Sequence, residues 1–423
     1  MQAYYDARET LPADERERVL FQQLPGALDR ARARASAIER QLAGIDVATL
    51  DSRQALARVP VLRKSELLQA QHAARISPVG TTADAERQRV FGGFATVGWG
   101  DARRVFASPG PIYEPEGPRP DYWGFARALH AAGVRPGMLV HNCFSYHFTP
   151  AGSMMETAAH ALGCTVFPGG VGQTEQQVRA MADLAPHAYT GTPSFLRIIL
   201  EKADDMGVAL PSLQRALFSG EAYPPSLQTW FQARGIEGFQ AYGSADLGMV
   251  AYETPAREGL VVNEDLILEI VRPGTGLPVP DGEVGELVVT TLNADYPLLR
   301  FGTGDLSALM PGASPCGRTN LRIRGWLGRA DQTTKVRGMF VHPEQIARVL
   351  DRHAGIGRAR LVVSGESGHD VMTLQVEADP ALDTDAVAAT VREQTKLRAV
   401  IEIVATGSLP NDGKVIEDAR RYD

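Results

Sequence analysis

The sequence predicts an α/β protein with a large N-terminal domain built on a doubly wound parallel sheet, a small antiparallel β subdomain, and an α+β domain at the C-terminus. Three observations support this fold class. From residue 138, short apolar runs alternate with amphipathic stretches, as strands and helices do in a mainly parallel sheet. Between residues 260 and 310, strand-like runs are joined by turn clusters. After residue 338, helix and strand patterns alternate again.

The first 75 residues predict a charged helical lead-in, in which apolar residues recur at mixed spacings of three and four. We see no chemistry in this segment. In the sheet domain, Thr174 is predicted to cap a helix that ends before Pro186, and Gly207 closes the next helix. The predicted strands are MLVHNCF, CTVFPGG, HAYTGT, RALFSGE and GFQAYGS, and the predicted helices are GSMMETAAHALG, TEQQVRAMADLAP and PSFLRIILEKADDMG.

Domain boundaries follow from these patterns. We expect an N-terminal domain over residues 1–328, with the lead-in at 1–75 and the β subdomain at about 260–328, and a C-terminal domain over 329–423. The strands of the β subdomain are LILEIVRP, GELVVTTL and GDLSALM. The C-terminal elements are the helix PEQIARVLDRH, the strands RARLVVSG and VMTLQVEA, the helix TDAVAATVREQTKLR and the strand AVIEIVATG.

The composition is that of a globular protein and argues against several functional classes. Of 423 residues, 44% are hydrophobic and 22% are charged, and the net charge of −7 argues against a nucleic-acid-binding surface. Cys143, Cys164 and Cys316 lie far apart, so we expect neither a disulfide framework nor a cysteine zinc site. The N-terminus carries no signal-peptide pattern and no run of 18 apolar residues occurs. We therefore expect a cytoplasmic protein without membrane association.

Candidate ligand-binding stretches follow several of the predicted strands. In a doubly wound sheet, ligands bind at the carboxyl ends of the strands. Five stretches, four of them at strand ends and one near the C-terminus, carry glycine together with hydroxyl, acidic or basic residues: FSGEAYP (218–224), AYGSADLG (241–248), RFGTGDLS (300–307), GRADQTTKVRG (328–338) and LPNDGK (409–414).

In this order, these stretches resemble the motifs of the adenylate-forming superfamily and, within it, the phenylacetate–CoA ligase family. YGSAD resembles the family's Y-G-x-S/T-E, GTGDL resembles R-T-x-D-L, and GRADQTTKVRGMFVHPEQI is similar to G-R-x-D-D-x-x-x-x-R-G-x-x-V-x-P-x-Q-x-E. The resemblance runs from about residue 100 to the C-terminus. It implies an AMP-forming acid–CoA ligase that acts on an aryl or arylacetic carboxylate through an acyl-adenylate. It also implies the use of ATP, Mg²⁺ and coenzyme A, and the homodimer that family members commonly form.

The resemblance assigns nucleoside contacts to two stretches. Tyr242 offers a flat face on which adenine can stack, Gly243 allows close backbone approach, and Ser244 belongs to the same motif. The stretch that lines the adenine edge in the family matches three residues here: Gly220, Glu221 and Ala222. An ordinary half-buried aromatic residue and a plain strand-to-loop turn are the alternative interpretations.

Charged residues of the motifs match the family's metal and ribose contacts. Asp246 stands where the family has a glutamate that binds Mg²⁺, and a carboxylate suits this hard cation. A helix N-cap is the alternative for Asp246. The resemblance implies that Asp305 accepts hydrogen bonds from both ribose hydroxyls and that Arg329 contacts the ribose or the phosphates. A turn aspartate and a surface arginine are the alternatives for these two.

Two further residues match the catalytic lysine and the hinge of the mobile C-terminal domain in the family. Lys414 matches the catalytic lysine that stabilises the reacting carboxylate and the α-phosphate. A solvated surface lysine is the alternative. Asp331 matches the hinge about which the C-terminal domain, a mobile lid, swings between a pose for adenylation and a pose for thioester formation.

The substrate pocket is predicted near HNCFSYHFTPAG (141–152). Phe144, Tyr146 and Phe148 alternate as in a strand, so they are expected to share one face and form an aromatic wall for an aryl acid. A buried core strand explains the same alternation.

The stretch FASPGPIYEPEG (106–117) has the place of the family's phosphate loop, S-S-G-T-T-G-K-P, between a strand and a helix. It keeps Ser108, Gly110 and Pro115, which leaves Ser108 and Gly110 as nucleotide contacts, but it has Glu114 in place of the lysine. A carboxylate about 4 Å from a phosphate charge is expected to cost ~4 kcal/mol at an effective dielectric near 20. The sequence therefore predicts a degenerate phosphate loop.

This departure leaves two alternatives to an ordinary ligase. One is a non-catalytic relative that binds an adenylate or an acyl-CoA and acts as a sensor or partner subunit. The other is a specialised ligase in which Tyr113 or Glu114 contacts the substrate or a partner.

Overall fold

The computed structural model describes residues 4–76, 83–330, 332, 334–336, 339–365 and 370–420. Contacts between residues divide the chain into two compact units. Unit 1 comprises residues 1–268, 289–301 and 310–325, and unit 2 comprises residues 269–288, 302–309 and 326–423. Parts of the predicted β subdomain therefore fall in unit 2, and the predicted domain boundary at 328/329 stays a prediction.

Unit 1 begins with the helical lead-in that the sequence predicts. Its apolar residues, among them the fully buried Leu24, Ile38 and Leu50, pack in one core cluster with residues of later segments such as Ile267 and Phe301. The lead-in is thus a packed layer of unit 1. It contains two 3₁₀ turns, Ala7–Thr10 and Val47–Thr49, and a two-residue strand β1 (Leu62–Arg63). Its helices are α1 (Ala13–Arg32), α2 (Ser36–Gln41), α3 (Arg53–Leu56) and α4 (Lys64–Ile76), and α5 (Ala83–Phe91) follows it.

The predicted loop at residues 106–117 is an antiparallel hairpin rather than a connection from a strand to a helix. Strands β2 (Arg104–Ser108) and β3 (Ile112–Glu116) pair from Arg104 opposite Glu116 to Ser108 opposite Ile112. Only residues 109–111 remain to form the turn.

The main sheet of unit 1 has nine strands in the order β14–β15–β10–β9–β8–β7–β6–β4–β5. The five strands from β8 to β5 are parallel, and β8, β9, β10 and β15 pair antiparallel. These strands are β4 (Leu139–Asn142), β5 (Thr165–Phe167), β6 (Ala188–Gly191), β7 (Arg215–Phe218), β8 (Glu237–Ser244), β9 (Gly248–Glu253), β10 (Leu260–Val262), β14 (Leu309–Met310) and β15 (Arg322–Ile323).

Helices cover both faces of the parallel strands, as a doubly wound sheet requires. Successive side chains of a strand point to opposite faces. In β7, Ala216 and Phe218 pack in one core cluster and Leu217 packs in another. The first cluster contains residues of α8 (Thr174–Leu184), α9 (Pro193–Asp205) and α10 (Pro225–Gln232), and the second contains residues of α6 (Ala126–Ala131) and α7 (Ala151–Ala161). The α/β fold class is confirmed.

Two local predictions in this domain are wrong. Gln173, in the left-handed conformation, precedes α8 as its N-cap, so Thr174 is the first helical residue and does not cap the helix. The strand predicted through MLVHNCF ends at Asn142, before Phe144.

The strands of the predicted β subdomain are β11 (Leu266–Val271), β12 (Gly285–Thr291) and β13 (Phe301–Ser307), in a sheet with the order β1–β13–β12–β11. The C-terminal part of unit 2 contains the predicted helices α11 (Pro343–Arg352) and α12 (Thr384–Thr395). Its strands are β16 (Thr334–Val336), β17 (Met339–Val341), β18 (Ile356–Ser364), β19 (Val371–Ala378), β20 (Val400–Val404) and β21 (Ile416–Asp418).

Strand β21 was not predicted, and its pairing in the sheet determines where the neighbouring Lys414 lies. The order β20–β19–β18–β21 puts β21 at the edge of the sheet, parallel to β18, with Leu361 opposite Ile416. Lys414 lies two residues before this strand begins.

No helix in the described ranges is long and apolar enough to cross a membrane.

Candidate active site

The carboxyl ends of adjacent parallel strands bring several predicted residues of unit 1 to one edge of the sheet. Gly220, Glu221 and Ala222 follow β7 and are exposed. The carboxylate Oε1 of Glu221 accepts a hydrogen bond of 2.6 Å from the backbone N–H of Ser194, in the first turn of α9. Glu221 thus links the end of β7 to the helix that follows β6, and its role at the adenine edge stays a prediction.

Tyr242, Gly243 and Ser244 are the last residues of β8, where the chain turns into β9. A Cβ atom on Gly243 would lie 2.5 Å from the carbonyl oxygen of Gly248, so packing within the hairpin already requires glycine at this position. The hydroxyl of Ser244 accepts a hydrogen bond from the N–H of Leu247 at 3.2 Å and holds the turn. Tyr242 is half-buried, and its stacking on adenine stays a prediction.

Asp246 lies in the turn between β8 and β9, and no helix begins there, so its interpretation as a helix N-cap is wrong. Its side chain is 2% exposed, and Oδ2 accepts a hydrogen bond of 2.9 Å from the Nζ of Lys64. Oδ1 has no hydrogen-bond partner among the described residues. Lys64 is the first residue of α4, in the lead-in to which the sequence assigned no chemistry. No local pattern marks it, because the pairing joins residues 182 positions apart.

The hairpin β2–β3 uses the hydroxyl of Ser108 internally. Ser108 is 3% exposed and donates a hydrogen bond of 2.6 Å to Oε1 of Glu114. Gly110 is exposed at the turn. Of the two predicted phosphate-loop contacts, Gly110 is therefore accessible, whereas the Ser108 hydroxyl is turned inward to a carboxyl group.

Glu114 is fully buried, which corrects the expectation that it presents a charge to a triphosphate. Burial and, to a smaller extent, the negative charge of Asp246 raise its pKa to about 8, against the opposing effects of Ser108 and Lys64. Glu114 is thus largely protonated at neutral pH. Its second oxygen, Oε2, has no hydrogen-bond partner in the described part of the chain.

Glu116, also fully buried on the same strand, has a different environment. It accepts hydrogen bonds from Arg104 at 2.6 Å, from the indole N–H of Trp123 at 2.9 Å and from the hydroxyl of Ser153 at 2.5 Å. A buried carboxylate with this many donors is compensated as an anion. Glu116 therefore supports the local fold of the hairpin.

The three aromatic residues predicted to line the substrate pocket do not share a strand face. Phe144 is buried in the core of the sheet domain. Tyr146 accepts a hydrogen bond of 2.8 Å from the side-chain amide of Asn142. Phe148 is 81% exposed and has a positive φ of 61°. The premise of a single aromatic wall is wrong, because β4 ends at Asn142, and the assignment of these residues to a substrate pocket stays a prediction.

In unit 2, Asp305 and Arg329 form an ion pair. Asp305 lies in β13, and its Oδ1 accepts hydrogen bonds of 3.0 Å from Nη1 of Arg329 and from the indole N–H of Trp326. The segment that carries Arg329 pairs with this strand through its backbone. Asp305 is 16% exposed and Trp326 is 55% exposed. An aspartate oriented in this way, beside an exposed ring, can accept hydrogen bonds from a polar ligand.

The loop that carries Lys414 is also held within unit 2. Gly413 has a φ of +69°, in the left-handed region, and packs against Val284 and Leu306. The side-chain amide of Gln332 hydrogen-bonds to the backbone of Gly413 and of two residues beyond Lys414. Lys414 itself is exposed. Asp331, the predicted hinge, lies outside the described residues.

A model of the family "AMP-binding enzyme" matches residues 125–293. A phenylacetate–coenzyme A ligase of Thermus thermophilus is 38% identical over 233 residues, which are 53% of this chain and 52% of that protein. The corresponding ligase of Aromatoleum evansii is 32% identical over 271 residues, 62% of this chain and 61% of that protein. These comparisons show that the chain is similar to AMP-binding enzymes and, among them, to phenylacetate–CoA ligases. The matched stretches span about half to three-fifths of the length of these curated family members.

A structural comparison extends the likeness over nearly the whole chain. A crystal structure of 2-hydroxyisobutyryl-CoA ligase, in the postadenylation state with 2-HIB-AMP, aligns with a TM-score of 0.71 and 26% identity. It covers 99% of this chain and 92% of that one. The motif resemblance begins at about residue 100, whereas the structural similarity also covers the helical lead-in.

Several positions depart from the motifs of the phenylacetate–CoA ligase family, among them Asp246 in place of a glutamate. In the predicted phosphate loop, Glu114 stands at the position of the family's lysine, and its side chain is buried. Gln332 stands where the family motif has the second aspartate of G-R-x-D-D, and here it contacts the loop of Lys414.

Proposed function

We propose that this protein is an AMP-forming acid–CoA ligase that acts on an aryl or arylacetic carboxylate through an acyl-adenylate. In the first step, a carboxylate oxygen attacks the α-phosphorus of ATP and pyrophosphate leaves. In the second step, the sulfur of coenzyme A attacks the carbonyl carbon, the thiol loses its proton and AMP leaves. The order and spacing of the stretches that resemble the family motifs support this reaction.

One observation carries the proposal. Unit 2 joins the Asp305–Arg329 pair to the loop of Lys414 through the side chain of Gln332, whose amide contacts the carbonyl groups of both Arg329 and Gly413. A carboxylate suited to ribose hydroxyls and an exposed lysine suited to a reacting phosphate are therefore connected by hydrogen bonds. This combination fits the formation of an acyl-adenylate better than it fits simple ligand storage.

The proposed roles follow from the chemistry of the groups. Lys414 would place a compact cation beside the negative charge that develops as the carboxylate attacks the α-phosphate. Asp305 would accept the ribose hydroxyls, and Tyr242 and the residues 220–222 would contact the adenine. For coenzyme A we propose no individual contact residues.

Asp246 fits an ion-binding role in part. Its Oδ1 is buried without a partner in the described part of the chain, whereas Oδ2 is paired with Lys64. No group of three or more His, Cys, Asp or Glu residues in the described ranges could hold a metal ion. A Mg²⁺ ion held by Asp246 would therefore take most of its ligands from water and from the nucleotide, as Mg²⁺ commonly does. When bound, it neutralises phosphate charge.

Exchange of labelled pyrophosphate into ATP tests the proposal. The assay is run with phenylacetate, benzoate, acetate and 2-hydroxyisobutyrate as separate acids. We expect acid-dependent exchange, reduced roughly 10²–10³-fold by Lys414→Ala because that variant loses one group that stabilises transition-state charge. The matched control is Lys396→Ala, which removes an exposed lysine of the same unit whose Nζ donates to a backbone carbonyl at 2.9 Å.

The control should exchange at the wild-type rate. Exchange that Lys414→Ala leaves unchanged contradicts the role of the lysine. No exchange with any of the acids, together with a rise in melting temperature on adding AMP, contradicts the ligase and supports a non-catalytic binder.

A further inference from the structure

The side chain of Gln332 contacts the backbone on both sides of Lys414. Its Oε1 accepts hydrogen bonds from the N–H groups of Val415 at 2.5 Å and Ile416 at 2.7 Å. Its Nε2 donates to the carbonyl oxygen of Gly413 at 3.1 Å. The side-chain amide of Gln332 thus holds the backbone of residues 413, 415 and 416, which flank Lys414 in the chain.

The same amide reaches the predicted nucleotide-binding side of unit 2. Nε2 also donates to the carbonyl oxygen of Arg329 at 3.3 Å, so both donors and both acceptor positions of the Gln332 amide are used. Arg329 is paired with Asp305. The backbone of this segment is in turn fixed to β13, because Ala330 N–H donates to the carbonyl of Gly304 at 2.7 Å.

Other side chains hold the loop up to Lys414. Arg358 donates to the carbonyl groups of Leu409 and Pro410 at 3.0 and 2.8 Å, and Arg360 pairs with Asp412. Oδ1 of Asp412 in turn accepts a hydrogen bond of 3.1 Å from the backbone N–H of Lys414. Among the side-chain contacts given for the described residues, those of Gln332 are the ones that reach the backbone of Val415 and Ile416.

We propose that Gln332 is the positioning residue of Lys414: its amide fixes the lysine backbone relative to the Asp305–Arg329 pair. This inference rests on the proposed ligase function and adds a residue to it. Glutamine is suited to the role because it supplies two donors and two acceptors on a side chain long enough to reach both segments. Aspartate, which the family motif has at this position, has no donor for the carbonyls of Gly413 and Arg329 and is one methylene shorter.

The consequence concerns catalysis rather than nucleotide binding. A displacement of about 1 Å of a group that acts in the transition state can cost on the order of 10²-fold in rate. Thioester formation from a supplied acyl-adenylate does not use the interaction of Lys414 with the reacting carboxylate of the first step. Loss of the Gln332 contacts should therefore slow adenylation and spare thioester formation.

The test compares Gln332→Ala with Gln345→Ala. Gln345 is a matched control, since it also lies in unit 2 and its amide also bridges backbone groups, donating to the carbonyl of Gln394 at 2.7 Å and accepting from His342 N–H at 2.9 Å. Gln345 does not contact the loop of Lys414 in these interactions. Gln332→Glu is a third variant, which keeps the acceptors for residues 415 and 416 and loses the donors.

Three measurements are made on each full-length variant. Pyrophosphate exchange reports adenylation, with the acid that gives the fastest wild-type exchange, and CoA-ester formation from the corresponding synthetic acyl-adenylate reports the second step. Hydrogen–deuterium exchange reports protection of the amides of Val415 and Ile416.

We expect Gln332→Ala to lower the exchange rate roughly ten- to hundredfold, to change thioester formation less than about twofold, and to deprotect both amides. Gln332→Glu should keep the amides protected and show an intermediate exchange rate. Gln345→Ala should match the wild type in all three measurements. In a Lys414→Ala background, Gln332→Ala should cause no further loss of exchange, because the two residues act as one unit.

The outcomes separate the two proposals. If Gln332→Ala leaves the rate of pyrophosphate exchange unchanged, or slows exchange and thioester formation equally, the proposed role of Gln332 is refuted. The ligase function then still stands. The same holds if Gln332→Ala further lowers exchange in the Lys414→Ala background. A wild-type protein that catalyses no exchange with any acid refutes the ligase function itself and the positioning role with it.

Discussion

Replacement of Glu114 by glutamine should stabilise the protein, and the gain should increase with pH. Glu114 is fully buried, and burial raises its pKa from 4.5 to about 8. Its Oε1 accepts a hydrogen bond from Ser108, which the amide oxygen of glutamine can also accept. Glu114→Gln therefore keeps the shape of the side chain and its hydrogen bond but stays neutral at every pH.

The sign and size follow from proton linkage. Between pH 4.5 and about 8, Glu114 is protonated in the folded protein and ionised in the unfolded chain. Its contribution to stability is thus fully present below pH 4.5 and is lost as the pH rises through about 8. One proton corresponds to about 1.4 kcal/mol per pH unit. Across this window the wild type should lose roughly 5 kcal/mol relative to Glu114→Gln.

Urea unfolding of the wild type and Glu114→Gln at pH 5, 6, 7, 8 and 9 measures this difference, and infrared spectroscopy can detect the protonated carboxyl group directly. The matched control is Glu116→Gln, two residues along the same strand, whose carboxylate accepts hydrogen bonds from Arg104, Trp123 and Ser153. That variant should be destabilised rather than stabilised. A stability difference between Glu114→Gln and the wild type that stays constant from pH 5 to pH 8 would refute the reasoning.

Two further predictions concern unit 2. Asp305→Asn should weaken AMP binding roughly tenfold or more, because a hydrogen bond to a charged group contributes about 1.5–3 kcal/mol; titration calorimetry measures this, and unchanged affinity would contradict the ribose-binding role. Gly413→Ala places a Cβ 2.7 Å from a methyl group of Val284 at a φ of +69° and should lower stability by roughly 1–3 kcal/mol. Gly407→Ala is its control, with a φ of +81° and no atom within 4 Å of the added Cβ, so equal losses in thermal unfolding for the two variants would exclude a steric effect.

Much of the fold follows from local sequence patterns. The alternation of apolar runs and amphipathic stretches predicts β4 to β8 and the helices α7 to α9, because the spacing of apolar residues and the positions of glycine and proline are local properties of the sequence. The elements that were missed or wrongly bounded depend on distant partners. Strand β21 is only three residues long and exists through its pairing with β18.

For the candidate site, too, local sequence patterns predicted some features and the structure was needed for others. The motif order predicts Asp305 and Lys414, and the structure finds each of them near polar partners that the motifs do not specify. The aromatic alternation at residues 144–148 was misleading because β4 ends at Asn142. Alternation indicates a shared face only where a strand continues.

The sequence by itself determined the fold class, the resemblance to the phenylacetate–CoA ligase family and the order of the motif residues, because these depend on residue type and on spacing along the chain. Only the tertiary structure decided that Lys64 pairs with Asp246, that Glu114 is buried and holds its proton, and that Gln332 encloses Lys414. In the contact of Lys64 with Asp246 and in the contact of Gln332 with Gly413, the partners lie more than 80 positions apart in the chain. Burial and pairing of this kind depend on how distant segments pack, which no local pattern records.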